Sequence, residues 1–180
     1  MPGGRPEDRQ LVQVSVNQAS PAIEFSRLSF LIVDDQPFTR RMIRSMLIGF
    51  GSREIYECGN GAEALEIVRT ALPSIIITDL VMPTLDGVHL ISALRAPVSP
   101  ARNIPVIVLS GYLTKSATLA VREAGVDELL VKPVSPKALY EHISRVVLRN
   151  ERLLLPAAIG QNPKRADGAQ KKKDDDLAFL

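Results

Sequence analysis

The feature that most constrains this chain is a regular alternation between two kinds of stretch across residues 28–149. Short aliphatic and β-branched runs, Phe30–Val33, Glu54–Glu57, Ile75–Thr78, Ile104–Leu109 and Glu128–Val131, predict five strands. Helix-length segments lie between them. The first opens at Gln36-Pro37, where proline suits the first helical turn. It repeats apolar residues at Ile43, Met46, Leu47 and Phe50 and stops at Gly49 and Gly51. The second runs from Asn60, an N-cap candidate, to Pro73. A third follows Gly87, and a fourth lies between Thr114 and Gly125. A fifth starts at Ser135-Pro136 and carries Leu139, Ile143, Val146 and Val147. Strands that are apolar throughout are buried on both faces, which requires a parallel sheet covered by helices on each side. Right-handed crossovers then leave few topologies. The best fit is an α/β, flavodoxin-like, doubly wound five-stranded sheet of order 2-1-3-4-5. In that order strands 1 and 3 are neighbours, and ligands bind at their carboxyl ends.

Composition sets the outer limits. The chain has 180 residues, and its 22 basic and 20 acidic side chains leave a net charge of +2, which argues against a general nucleic-acid binder. The single cysteine, Cys58, excludes an intramolecular disulfide framework. No apolar run is long enough to span a membrane. The opening MPGGRPEDRQ has no apolar stretch that could act as a signal peptide, so a cytoplasmic setting is expected. Residues 1–27 are expected to form a flexible extension, with the alternating Leu11–Val16 as a possible edge or partner-docking strand. Residues 150–180 are expected to form a disordered tail into which Leu153–Leu155 fray. Lys171–Lys173 and Asp174–Asp176 largely cancel there. The tail is too short and too polar for a winged-helix or helix-turn-helix output domain, so direct transcriptional control is not expected.

The carboxyl ends of the predicted strands carry the chemistry. Strand 1 ends in Asp34-Asp35, strand 3 in Asp79, strand 4 in Ser110-Gly111 and strand 5 in Lys132-Pro133. Any one of these could be a turn or capping residue; four polar groups at one rim are harder to explain that way. Two carboxylates about 5 Å apart at an effective dielectric near 20 repel by about 3 kcal/mol. A cation or a proton must relieve that repulsion. All-oxygen ligands without nearby Cys or His select Mg²⁺ or a similar hard ion over zinc. Carboxylates, a metal, an ammonium and a hydroxyl together form a cradle for a phosphoryl group. Asp79 can serve as its covalent acceptor.

Four stretches occur in order: LIVDDQ at 31–36, IIITDLVMPTLDG at 75–87, IPVIVLSG at 104–111 and AGVDELLVKP at 124–133. On these motifs residues 28–149 resemble the receiver domain of two-component response regulators, of the stand-alone type. The resemblance implies that Asp79 accepts a phosphoryl group from a histidine kinase or a histidine phosphotransfer protein. It implies that Asp34, Asp35, Asp79 and the backbone at Leu80–Val81 hold Mg²⁺, and that Ser110 and Lys132 bind the phosphoryl oxygens. It also implies a cis peptide at Lys132–Pro133. Output would be altered contact with a downstream protein, with a phosphorylation-dependent dimer left open. A phosphate sink or relay shuttle is the alternative. No separate turnover substrate is expected beyond slow self-dephosphorylation.

One position departs from the family. Three residues before the lysine, where the family places Tyr or Phe, stands Leu129. The acceptor machinery is expected to be complete, with Ser110 still moving toward the phosphoryl group and a different output response. Val81 and Tyr112, each two residues beyond a site residue, flank the path of an attacking water and orient it poorly. A long-lived phosphoaspartate is therefore expected.

The remaining residues receive plainer readings. Arg40, Arg41 and Arg44 form either a solvated helix face or a docking face for the kinase. His89 and His142 are read as surface or packing residues, and Cys58 as a small buried or loop residue. Asp86-Gly87 is read as a turn at a helix start, and Glu57, Glu63 and Glu66 as solvated. Two rival functions are possible on this fold. A dehalogenase-like phosphohydrolase carries a second aspartate two residues after the nucleophile, where this chain has Val81. A nucleotide or flavin binder on the same fold lacks its glycine-rich phosphate loop here.

Overall fold

Five parallel strands make one sheet in the order β2-β1-β3-β4-β5. The computed structural model describes residues 23–83, 86–111 and 114–154. The strands are β1 (Ser29–Val33), β2 (Glu54–Cys58), β3 (Ile75–Asp79), β4 (Val106–Ser110) and β5 (Glu128–Val131). The helices are α1 (Pro37–Gly49), α2 (Gly61–Ala71), α3 (Gly87–Arg95), α4 (Lys115–Glu123), α5 (Pro136–Arg149) and a single turn, α6 (Glu151–Leu154). The fold class is the expected doubly wound one.

The strand side chains explain why both faces needed cover. Phe30, Ile32, Ile75, Ile77, Ile107 and Leu109 point to one face and pack with α1 and α5 through Ile43, Leu47, Leu139 and Ile143. Leu31, Val33, Ile76, Val106 and Val108 point to the other and pack with α2, α3 and α4 through Val68, Leu90, Ile91 and Val121. Successive residues of one strand thus enter opposite cores, as the pleat requires. Each fully buried Ile or Leu is worth about 1.5–3 kcal/mol in removal from water.

Caps set the helix starts. Asn60 Oδ1 accepts from the Glu63 amide at 2.9 Å, Asp86 Oδ1 from that of His89 at 2.9 Å, and Ser135 Oγ from that of Ala138 at 3.2 Å. The expected strand at 104–109 begins two residues later, at Val106. Pro105 has no amide to donate, although its carbonyl still accepts from the Ile76 amide at 2.9 Å. Helix α2 stops at Ala71, ahead of the expected Pro73 limit. Its cap is Leu72 in the left-handed region (φ 45°), a place more often taken by glycine.

Packing also runs past both expected boundaries. Phe25, in a single 3₁₀ turn over Phe25–Arg27, is 3% exposed and lies under the α1–α5 face. Its ring centroid lies 5.3 Å from that of Phe50 and 5.4 Å from that of Tyr140. At the other end, Leu153 of α6 packs against the same core. Phe25 and Leu153 thus belong to the packed body although they lie outside residues 28–149. Apolar burial, not local periodicity, holds both pieces. The Leu11–Val16 run and Leu155 lie outside the described residues, as does most of the expected tail. Among the described residues no helix is long and apolar enough to cross a membrane.

Candidate functional site

Strand register brings the polar rim together. β1 pairs with β3 in parallel, from Phe30 opposite Ile75 to Val33 opposite Thr78. The chain therefore leaves β1 at Asp34 beside Asp79, the last residue of β3. β3 pairs with β4 so that Asp79 stands opposite Leu109, which puts Ser110 one step further along the rim. Ser110 stands opposite Val131, and its carbonyl accepts from the Lys132 amide at 2.8 Å. Four residues from four segments meet because the sheet is parallel and the strands end level.

Carboxylate oxygens of Asp34, Asp35 and Asp79 lie within 4.8 Å of one another. Asp34 is fully buried and Asp79 is 5% exposed, whereas Asp35 is open to solvent. Lys132 Nζ sits 2.9 Å from Asp34 Oδ2 and 2.9 Å from Asp79 Oδ2, so one ammonium serves both buried acids. The other oxygens are held by the main chain. Asp34 Oδ1 accepts from the Gln36 amide at 2.8 Å, and Asp79 Oδ1 from the Leu80 amide at 2.8 Å. Burial works against the Lys132 ammonium, but its hydrogen bonds to Asp79 and Asp34 and their negative charges outweigh that and hold its pKa above the usual lysine value. The donor set is all oxygen and carries three charges, which fits a hard divalent cation.

The loop after β3 is packed tightly against the acceptor. The Gly87 amide donates to the Leu80 carbonyl at 2.9 Å. A Cβ on Gly87 would fall 2.6 Å from the Asp79 carbonyl oxygen and 3.0 Å from Leu80 Cα. Only glycine fits there. The Asp86-Gly87 pair does start a helix as expected, but Gly87 also sets the height of the acceptor loop, which the plainer reading missed. Val81, on the same loop, is 75% exposed. Ser110 is buried at the rim. Tyr112 lies outside the described residues. Leu129 stands opposite Val108 and is half-buried against the α2–α4 side of the core. The Lys132–Pro133 bond is cis.

Two basic residues of α1 reach across to the neighbouring strand. Arg40 Nη1 donates to the Asp34 carbonyl at 2.6 Å, and its Nε lies 3.9 Å from Glu57. Arg44 Nη1 bonds the same carboxylate at 3.1 Å and also the Ile55 carbonyl at 3.3 Å. They tie α1 to β2, with the Arg40 side chain 21% and that of Arg44 43% exposed, and Glu57 is paired and only partly solvated. Arg41, Glu63 and Glu66 are exposed. His89 is exposed and contacts Asp86, while His142 is half-buried with Nδ1 2.9 Å from Glu128. Cys58 is buried, and burial pushes its thiol up to about 11, so it stays a neutral thiol near neutral pH.

Comparison with known proteins agrees with this geometry. The family model described as "Response regulator receiver domain" matches residues 30–144. Chemotaxis protein CheY1 of Helicobacter pylori is 31% identical over 125 residues, covering 69% of this chain and all of that protein. A probable transcriptional regulator, ycf27, of Porphyra purpurea is 33% identical over 131 residues, covering 73% of this chain. The match takes in 52% of that regulator, so the chain spans about half the length of such relatives. Among solved structures, Vibrio cholerae chemotaxis protein CheY4 superposes with a TM-score of 0.62 at 28% identity, covering 66% of this chain and 98% of that one. The receiver domain of a signal transduction histidine kinase from Syntrophus aciditrophicus gives 0.63 at 27% identity, covering 75% and 99%. The parallel sheet, the acidic rim with its shared lysine, and these matches together make the chain a member of the response regulator receiver domain family, the signalling module of two-component systems.

Proposed function

We propose that Asp79 accepts a phosphoryl group from a histidine kinase or a histidine phosphotransfer protein, and that the chain signals by altered protein–protein contacts. The observation that carries this reading is the single ammonium of Lys132 held 2.9 Å from both buried carboxylates at the carboxyl rim. An oxygen of the Asp79 carboxylate attacks phosphorus and forms the new P–O bond. The P–N bond of the donor phosphohistidine breaks, and its electron pair stays on the imidazole nitrogen, which takes up a proton.

Asp34, Asp35 and Asp79, with the backbone at Val81, are the groups that would hold Mg²⁺. Such an ion supplies neutralising charge for the approaching phosphoryl oxygens. Lys132 supplies the remaining cation, and Ser110 a hydroxyl at the same rim. Phosphorylation removes charge from Asp79 and places a dianion beside Lys132, which shifts that ammonium away from the carboxylates. Because the Lys132 amide is bonded to the Ser110 carbonyl, the shift is transmitted to the paired ends of β4 and β5.

The test is incubation of the full chain with acetyl phosphate and Mg²⁺, followed by intact mass. Wild type is expected to gain one phosphoryl group and Asp79→Asn none. An unchanged wild-type mass, or uptake undiminished in Asp79→Asn, would overturn the reading.

A further inference from the structure

We propose that Arg40 is a positioning residue that aims the metal-binding carboxylates of Asp34 and Asp35. The inference rests on the metal site described above but concerns a residue outside it. Asp34 is held at each of its polar atoms. Its amide donates to the Cys58 carbonyl at 3.3 Å, its two carboxylate oxygens meet the Gln36 amide and Lys132, and its carbonyl accepts from Arg40 at 2.6 Å. That carbonyl belongs to the peptide joining Asp34 to Asp35. Fixing it fixes the plane of the peptide, and with it the relative direction of the two carboxylates. Asp35 needs this help, because among the described residues its own side chain is exposed and makes no hydrogen bond or ion pair.

Arg40 is itself braced. Its Nε is 3.9 Å from Glu57, whose carboxylate also takes Arg44 at 3.1 Å. Glu57 stands opposite Ile32 on the neighbouring strand, two residues before Asp34 in the chain. The brace therefore runs from α1 through β2 to the start of the acidic loop. A charged donor to a carbonyl is stronger than a neutral one, and a guanidinium can satisfy both partners from a fixed plane.

Charge alone predicts the opposite outcome to position. A cation beside three carboxylates opposes the arrival of a second cation, so removing it on charge grounds would tighten Mg²⁺ binding. Loss of positioning would weaken it, by about 10- to 100-fold for removal of an outer-shell partner. The experiment is calorimetric titration of Mg²⁺ into the full chain, with thermal unfolding followed in parallel. Arg40→Met is expected to raise the Kd for Mg²⁺ by about tenfold or more, and Arg40→Lys, which keeps the charge and one donor, to recover part of it. Arg40→Gln, which also removes the charge but keeps a neutral side-chain donor, is expected to weaken binding less than Arg40→Met. It provides the same reading if Arg40→Met does not fold, because charge loss alone would again tighten binding. Unchanged or tighter Mg²⁺ binding in a folded Arg40→Met or Arg40→Gln variant overturns the proposal. Absence of Mg²⁺ binding in the wild type overturns the metal site itself, which separates the two failures.

Discussion

At the scale of single residues, Lys132 is the side chain that bridges the two buried acids of the rim. It neutralises two buried carboxylates, so replacing it with methionine leaves them facing each other without a counter-charge. Breaking a buried pair from one side costs about 3–5 kcal/mol. Some of that is discounted because the lysine side chain remains 21% exposed. A loss of about 2–3 kcal/mol in urea unfolding is expected for Lys132→Met near neutral pH. The pH dependence has a defined sign. The folded-state pKa lies above the ordinary 10.5, so the stabilisation is fully present below that value and is lost as pH rises through the folded one. Wild type and Lys132→Met should therefore converge in stability at strongly alkaline pH. Val81 is the second residue to test. Its exposed side chain can neither donate to nor accept from a water approaching Asp79. Val81→Asn or Val81→Glu is expected to shorten the phosphoaspartate half-life, measured by loss of the phosphoryl mass after donor removal. An unchanged or longer half-life would remove Val81 from any role in orienting water.

Elements show where reading the chain succeeds and where it stops. The central strands β1, β3 and β4 were legible because each is apolar on both faces, the edge strands β2 and β5 through their short β-branched or aliphatic runs between helices, and the acceptor rim because the strands end in unlike polar groups. Gly87 was not, since only the folded loop reveals how close its backbone comes to the Asp79 carbonyl. The ion pairs of Arg40 and Arg44 with Glu57 were hidden for a similar reason. Helical spacing says which face of α1 a residue takes, but not that a strand carboxylate waits beneath it. Phe25 and Leu153 lie in segments too short for any period to show. Two elements yield predictions. Leu72 caps α2 with φ 45°, and the residue is 45% exposed, so its side chain gives up little by being removed. Leu72→Gly should relieve the left-handed strain and stabilise the fold by about 0.5–1 kcal/mol, read as a rise in Tm. Glu128 ties β5 to α5 through Arg149 at 2.6 Å and Arg145 at 3.3 Å. Burial raises its pKa, but those arginines and His142 outweigh this and hold the carboxylate below its usual 4.5. Glu128→Gln should cost about 1 kcal/mol near neutral pH, because both arginines are partly solvated. That difference is present above pH 4.5 and should vanish as pH falls through the folded value.

Over the whole molecule, the question is how a change at one rim reaches a distant face. β4 and β5 are paired from Ile107–Glu128 to Ser110–Val131, and Lys132 follows directly. Leu129 packs, half-buried, against the α2–α4 side of the core. The expected response is displacement of Ser110 and of α4 without rotation of a bulky side chain at residue 129. Amide chemical shifts recorded with and without beryllofluoride and Mg²⁺ should move in β4, β5 and α4. Shifts confined to the acidic loop would show that the rim is uncoupled from that face.

The shared lysine has a consequence for which ions the rim can tolerate. Three carboxylates and one ammonium leave a deficit of two elementary charges at one rim of the sheet. A doubly charged ion cancels that deficit in one step, whereas sodium or potassium would need two seats where the oxygens span less than 5 Å. Discrimination between metals at this rim thus begins as simple counting, before size or geometry is consulted.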